Sequence, residues 1–421
     1  MTSLFPPLAP DTRSILDRLP GIIDKAFPVP GRFRSTLPRD VADLSRLLTA
    51  ERQDRSVSYL GKPNLLQAYL RYFLPWNIYR LCRLLPALPL SLKGGDAIND
   101  LGCGPLTFAA ALWISRKELR TVPLEFRCVD RTPAVLEAGR KLFAALSAET
   151  AKASGLAAAE ADGSGGASCP WIIKTIRGEI KKSGFLSVHI KGKPAALTTA
   201  VNVYNELYWN FSPFDFEGIL AFAEKSAGAL SSLTDPSGSV FVMEPGIPRS
   251  GQFVALLRQS LMDESRFPLS PCLHNKPCPM LLSSTNENGR RGTHFKGGKG
   301  KWCHFAFDTE DAPSVLQRLS AAAGIPKERA VLSFVFSGAS GQLSPTDGKK
   351  AENRKALKVR VISDEFPAGD FWGRYGCSER GLVLARGGRR RLADFPSGAA
   401  GEFAVLESVR DGKSGALVTE V

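Results

Sequence analysis

Two spacings of apolar residues divide this chain. Over 12–27 ("TRSILDRLPGIIDKAF") and 64–85 ("NLLQAYLRYFLPWNIYRLCRLL") apolar residues recur at steps of three and four, which predicts amphipathic helices. Pro75 falls inside the second run and predicts a kink or a division there, because proline brings no N–H to a helix interior. The aromatic residues of that run, Tyr69, Tyr72, Phe73, Trp76 and Tyr79, read as core. Residues 1–93 are therefore expected to form a helical N-terminal region.

From 94 to 250 the pattern changes to short strands alternating with helices. "DAINDL" (96–101) and "LEFRCVD" (124–130) predict strands, and "PLTFAAALWISRK" (105–117) and "PAVLEAGRKLFAAL" (133–146) predict helices. Strands resume at "WIIKTI" (171–176), "AALTTAVNVY" (195–204) and "GSVFVMEPG" (238–246). This rhythm predicts an α/β fold with a parallel, doubly wound sheet. Residues 147–168, rich in Ala, Gly and Ser, read as a flexible surface insertion. Residues 251–345 hold helices at 251–262 and 312–324, a strand at 330–338, and between them a Cys/Pro-rich loop and a basic, glycine-rich stretch at 286–301. From 346 to 421, short strand-like runs separated by glycines predict a small β-rich C-terminal domain.

The 421 residues are enough for about two to four domains. No apolar run reaches the ~18 residues of a membrane span. "MTSLFPPLAPDTRS" lacks the features of a secretory signal, so a cytoplasmic location is expected. The net charge of +14 favours a polyanionic partner such as nucleic acid, or else marks a basic protein kept monomeric by self-repulsion. In a reducing compartment the eight cysteines should not pair as disulfides.

Candidate chemistry begins at "AINDLGCGPLTFAAALW" (97–113). Asp100 ends a predicted strand, and Gly102 and Gly104 allow a sharp turn close to a ligand. Asp130 ends the next strand, 26 residues after Gly104, where an acid can accept the ribose hydroxyls of an adenosine. Leu106 stands where a third glycine would often fall and crowds the approach of a pyrophosphate. S-adenosylmethionine carries no phosphate, so the spacing leans towards that methyl donor; a ligand-free doubly wound domain is the alternative. Asn205 and Glu206, and likewise Glu244 and Pro245, fall at later strand ends, where they line the crevice or merely cap the chain. No Asn-Pro-Pro-Tyr or Asp-Pro-Pro-Tyr signature and no Pro-Cys nucleophile near a strand end marks the methyl acceptor, so the catalytic residues stay unassigned.

A second constellation lies in "SPCLHNKPCPM" (270–280), "KWCHF" (301–305) and "RYGCSE" (374–379). Cys272, Cys278, Cys303 and Cys377 could bind an iron–sulfur cluster or zinc, with His274 and His304 as substitute zinc ligands, or could be buried structural thiols.

Together these stretches resemble one family, the methyltransferase-like assembly factors of the small ribosomal subunit found in mitochondria and in bacterial relatives. The matching segments are "DLGCGPLT", "VYNEL", "EPGIP", "PCLHNKPCP", "KWCHF" and, more faintly, "KVRVIS…GRYGC", in the family's order from about 100 to 377. The resemblance implies a Rossmann-like class I S-adenosylmethionine-dependent methyltransferase fold with a helical N-terminal region. It also implies a cysteine-bound insertion and a β-rich C-terminal part. It places a structural 4Fe-4S cluster on Cys272, Cys278, Cys303 and Cys377, and the donor site on Asp100, Gly102, Gly104 and Asp130. It departs from the family where Leu106 replaces the last glycine of Gly-x-Gly-Pro-Gly-Thr, and in the long basic loop between Cys278 and Cys303. Two functions follow as expectations: methylation of small-subunit rRNA, with basic stretches at 286–301, 349–360 and 386–391 on phosphates, or non-catalytic binding of that rRNA during assembly.

Overall fold

The computed structural model describes residues 2–29, 31–49, 59–153, 169–181, 183–184, 186–208, 215–281, 302–339, 356–404, 406–412 and 414–421. A short strand β1 (Thr2–Ser3) precedes helices α1 (Pro10–Ala26), α2 (Gly31–Thr49), α3 (Pro63–Ala68) and α4 (Leu74–Leu84). The run is divided just before Pro75: a π-turn over Tyr69–Phe73 separates α3 from α4, and Pro75 sits in the first turn of α4.

The chain then alternates β2 (Asp96–Leu101), α5 (Thr107–Ser115), β3 (Leu124–Asp130), α6 (Pro133–Ala153), β4 (Ile172–Arg177), β5 (Ala195–Val201), α7 (Phe216–Leu233), β6 (Thr234–Pro245) and α8 (Pro248–Asp263). β7 (Arg266–Ser270), β8 (Phe305–Asp308), α9 (Ser314–Ala322) and β9 (Arg329–Ala339) complete this layer. The strand order is β4-β3-β2-β5-β6-β9-β7, with β8 also on β9. β2 to β6 are parallel, and β9 runs antiparallel to β6. Helices cover both faces, so the central strands β2 and β5 are largely buried, polar residues such as Asn99, Asp100, Thr198 and Thr199 included. Helix α5 is apolar on all sides because it is wedged between the sheet and α4; Phe108 to Ile114 are all buried.

Residues 147–153, expected in the surface insertion, instead extend α6: Thr150 is buried and accepts the indole N–H of Trp113 at 3.0 Å. Residues 154–168 of that insertion and the basic stretch 286–301 lie outside the described residues, as do 349–355.

The C-terminal part forms a second sheet from β10 (Ala356–Val361), β11 (Phe366–Ala368), β12 (Phe371–Ser378), β13 (Gly381–Gly387), β14 (Ala399–Ala404), β15 (Leu406–Arg410) and β16 (Leu417–Glu420), with α10 (Arg389–Ala393) between β13 and β14. Its edge is β1, pairing Thr2 with Ala400. Nothing in the period of the first residues signals this pairing. It is stabilised locally: Phe5 stacks on Phe307 at 4.5 Å, and Arg83 of α4 donates to the carbonyls of Phe5 and Pro6. Arg83 also pairs with Asp311 at 2.8 Å. One apolar core runs from Leu4 through the N-terminal helices and the first sheet to Ile362.

Arg83 is only 6% exposed, so removing it takes the cation from Asp311, which keeps the Tyr79 hydroxyl, and leaves the carbonyls of Phe5 and Pro6 without this donor. Arg83→Met is expected to lower unfolding free energy by about 3 kcal/mol in urea titrations. A loss under ~0.5 kcal/mol, the range of ordinary surface changes, would show that the N-terminal strand is held by other means.

Candidate active site and a four-thiol centre

A cleft opens at the carboxyl ends of β2, β3, β4 and β5, the edge where open α/β sheets take their ligands. Gly102 and Gly104 line it with φ of +64° and +55°. A Cβ on Gly102 would fall 2.4 Å from Cγ2 of Val203, so the turn closes only over glycine. Asp130 ties it down. One carboxylate oxygen accepts the N–H of Gly104 at 3.1 Å, and the other accepts the N–H of Thr132 at 2.9 Å. Burial raises the Asp130 pKa, against the lowering effect of these two hydrogen bonds.

Leu106 does not crowd the ligand space. It takes φ +57° as the N-cap residue of α5, a conformation that costs a non-glycine residue about 1–2 kcal/mol. Its side chain is fully buried and turned to α6, where Gly139 makes room: a Cβ there would lie 2.6 Å from Leu106 Cγ. The expected obstruction is thus a core contact.

Of the other residues expected at the donor site, Glu206 reaches the cleft and pairs with Arg131 at 3.2 Å. Asn205 is turned inward and buried. Asp100 lies beneath the turn, 1% exposed, with one carboxylate oxygen unpartnered among the described residues. Burial, and then the nearby Asp130, push its pKa up to about 8. Its carboxyl lies with the thiols of Cys103 and Cys128, all within 4.8 Å of one another and all buried. Glu244 is a brace and not a cleft residue. Fully buried, it accepts the N–H groups of Tyr204 at 2.8 Å and Asn205 at 3.1 Å, and burial pushes it up to about 8.

The N-terminal helices also line the cleft, which the sequence reading did not foresee. Tyr69, in the π-turn, and Asn77, on α4, reach it. Burial raises the pKa of the Tyr69 phenol, helped by the carboxylates of Glu206 and Asp130, so it stays a neutral donor beside them. The one signal was Asn77, a lone amide inside the apolar run "LPWNIY".

The four cysteines singled out in the sequence converge. Cys272 and Cys278 follow β7, Cys303 precedes β8, and Cys377 lies in β12 of the second sheet. Every pair among the four thiols is within Coulombic reach. Burial raises the pKa values of Cys278, Cys303 and Cys377, and the neighbouring thiols raise them further. A Pro-Cys pair does follow a strand end here: Pro271-Cys272 comes directly after β7. That strand is the outermost of its sheet, however, and Cys272 belongs to the four-thiol group. His274 places Nε2 3.3 Å from Cys377 Sγ, whereas His304 stacks on Trp302 at 4.9 Å. The other cysteines lie elsewhere, with Cys82, Cys103 and Cys128 in the core.

No protein-family model matches the chain. No curated protein matches it either. Solved structures similar to it include a Listeria monocytogenes protein assigned to the class I S-adenosylmethionine-dependent methyltransferases, at 11% identity, covering 80% of this chain and 89% of that one with a TM-score of 0.31. Geranyl diphosphate C-methyltransferase of Streptomyces coelicolor aligns at 10% identity over 67% of this chain and 88% of its own, TM-score 0.29. TrmN of Thermus thermophilus aligns at 18% identity over 45% and 44%, TM-score 0.24. The strand order and the antiparallel β9, visible in the chain itself, define a Rossmann-like class I methyltransferase fold independently of these overlaps. Among the described residues no helix is long and apolar enough to cross a membrane.

Asp100 and Glu244 keep protons in the folded chain that the unfolded chain, with carboxyl pKa values near ~4, releases. Their contribution to stability is therefore full below about pH 4 and is lost as pH rises to about 8. In Asp100→Asn the fall of Tm between pH 5 and 8 is expected to be shallower than in the parent chain. Parallel curves would mean that Asp100 is ionised when folded.

Proposed function

We propose that this chain is an S-adenosylmethionine-dependent methyltransferase-like protein acting on the small ribosomal subunit, in rRNA methylation, subunit assembly or both, with a 4Fe-4S cluster on Cys272, Cys278, Cys303 and Cys377. The observation that carries the donor assignment is the glycine turn pinned by Asp130 at the mouth of a cleft. Each Asp130 oxygen keeps a lone pair beyond its backbone hydrogen bond, enough to accept ribose hydroxyls. Glu206, Tyr69 and Asn77 supply further polar groups around the rest of the donor. Methyl transfer needs the acceptor in line with the sulfonium, and positioning of that kind supplies most of the rate.

The donor set suits a metal centre: four thiols and, beside them, a buried arginine with idle N–H groups. Among the described residues the one trio of ligand atoms within 4.8 Å is Asp100, Cys103 and Cys128, so the four thiols form a more open group. A single zinc with bonds near 2.3 Å would draw its sulfurs to about 3.8 Å. Four thiolates suit either centre; the family resemblance favours a cluster, with zinc as the alternative. The centre is structural, since thiolates fill every ligand position. An rRNA partner is supported by the charge of +14. Of the basic residues at 386–391, Arg386 and Arg389 are paired with Glu420 and Glu365, while Arg390 and Arg391 stand exposed on α10.

A second reading, a non-catalytic rRNA-binding assembly factor, is favoured by one feature. Both Asp130 oxygens already serve the loop, and the Arg131–Glu206 pair adjoins them. Two measurements separate the readings. Calorimetry is expected to detect S-adenosylmethionine binding that weakens at least tenfold in Asp130→Ala. Radiolabelled donor, incubated with immature small subunits from cells lacking the protein, is expected to label the rRNA. Binding to the subunits without label and without donor heat would favour the assembly factor.

A further inference from the structure

The four thiols have a charged neighbour that methyl transfer does not use. Arg258 lies on α8 and is 2% exposed. Its Nη2 donates to the carbonyl of His274 at 2.9 Å, and His274 in turn contacts Cys377. The guanidinium Nε and Nη1 are buried with no hydrogen-bond partner, and Arg258 forms no ion pair with a carboxylate among the described residues.

A second buried arginine, Arg360, sits opposite Cys377 in the β10–β12 ladder. It too has Cys272 and Cys303 within Coulombic reach, but its Nε and Nη1 are used, donating to the carbonyls of Pro271 at 3.1 Å and Gly398 at 2.7 Å. Buried Arg374 also has two donors without a hydrogen bond, but it is paired with Asp364 and Glu365; among the described residues Arg258 combines two idle donors with no carboxylate partner. Burying an uncompensated charge is strongly destabilising, so a counter-charge is required. The groups within Coulombic reach of Arg258 include the thiols of Cys278, Cys303 and Cys377. Four thiolates around either zinc or an iron–sulfur cluster carry net negative charge and supply it.

We propose that Arg258 is the resident counter-cation of the four-cysteine centre, giving its Nε–H and Nη1–H to the sulfurs. This rests on the reading that those cysteines hold a metal centre. Net charge and hydrogen bonds to sulfur set a cluster's potential, and partners outside the ligand set tune metal affinity. A cation beside the sulfurs favours the reduced, more negative form. Removing it should lower the potential.

The test uses the full chain purified anaerobically, with Arg258→Gln and Arg258→Lys beside the parent. Iron and acid-labile sulfide are measured first, then the midpoint potential by dye-mediated titration followed by electron paramagnetic resonance. In Arg258→Gln the reduction equilibrium is expected to shift at least tenfold towards the oxidised form, about 59 mV downward for one electron. Arg258→Lys keeps the charge but loses the fork, and is expected to fall between the two with at least a threefold shift. It carries the test alone if the glutamine variant does not fold. A parent with full iron whose variants keep its potential overturns the role of Arg258 and leaves the cluster standing. If the parent holds zinc, chelator competition replaces the titration: at least tenfold weaker zinc in Arg258→Gln supports the proposal, and equal affinity overturns it. A parent that binds neither metal refutes the metal centre itself, and the proposal with it.

Discussion

Acidic side chains at strand ends, buried or partly buried and each holding the backbone N–H groups of a loop, are the constraint on which the cleft depends. Asp130 binds the N–H groups of Gly104 and Thr132; Glu244 binds those of Tyr204 and Asn205. Loop N–H groups inside a protein must find acceptors, and here two acids meet that need where two loops face each other. The consequences are geometric. Glu244 fixes the segment that sets Val203 against Gly102 and Glu206 opposite Arg131. Asp130 fixes the glycine turn from the other side. The space between them is what the two braces leave open.

The four-thiol centre answers a different problem. Strands β7 and β8, at one side of the first sheet, must be joined to a C-terminal sheet that contributes its own small core. Cys377 lies on β12, while Cys272, Cys278 and Cys303 come from the connection between β7 and β8. Backbone pairing supports the same junction, with His304 N–H donating to the Ile362 carbonyl at 3.3 Å. A metal bound there would cross-link segments far apart in the chain and add its binding energy to folding.

Much of this was legible in the sequence because buried parallel strands and amphipathic helices have distinct periods. The run from "DAINDL" to "GSVFVMEPG" maps onto β2 to β6, and the apolar run 64–85 onto α3 and α4. The turn at Gly102 and Gly104 was legible because the spacing strand, acid, Gly-x-Gly, helix is local. What escaped was non-local. The pairing of Thr2 with Ala400 leaves no trace in a two-residue strand. The place of Tyr69 in the cleft depends on a π-turn that periodicity does not encode. The same holds for Leu106: its left-handed backbone sends the side chain towards Gly139, a contact 33 residues away that no turn pattern specifies. Asn205 and Glu206 are adjacent in sequence, yet a 3-10 turn sends one inward and the other to the cleft.

Whether Cys377 of the second sheet shares one metal centre with Cys272, Cys278 and Cys303 is read most directly from metal content. Iron and acid-labile sulfide should be quantified in the anaerobically purified chain and in Cys377→Ser, with folding followed by circular dichroism. The predicted result is about four irons and four sulfides per parent chain, with loss of most of both and a lower Tm in the variant. A parent chain without metal, or a Cys377→Ser variant with unchanged metal and Tm, would contradict the account.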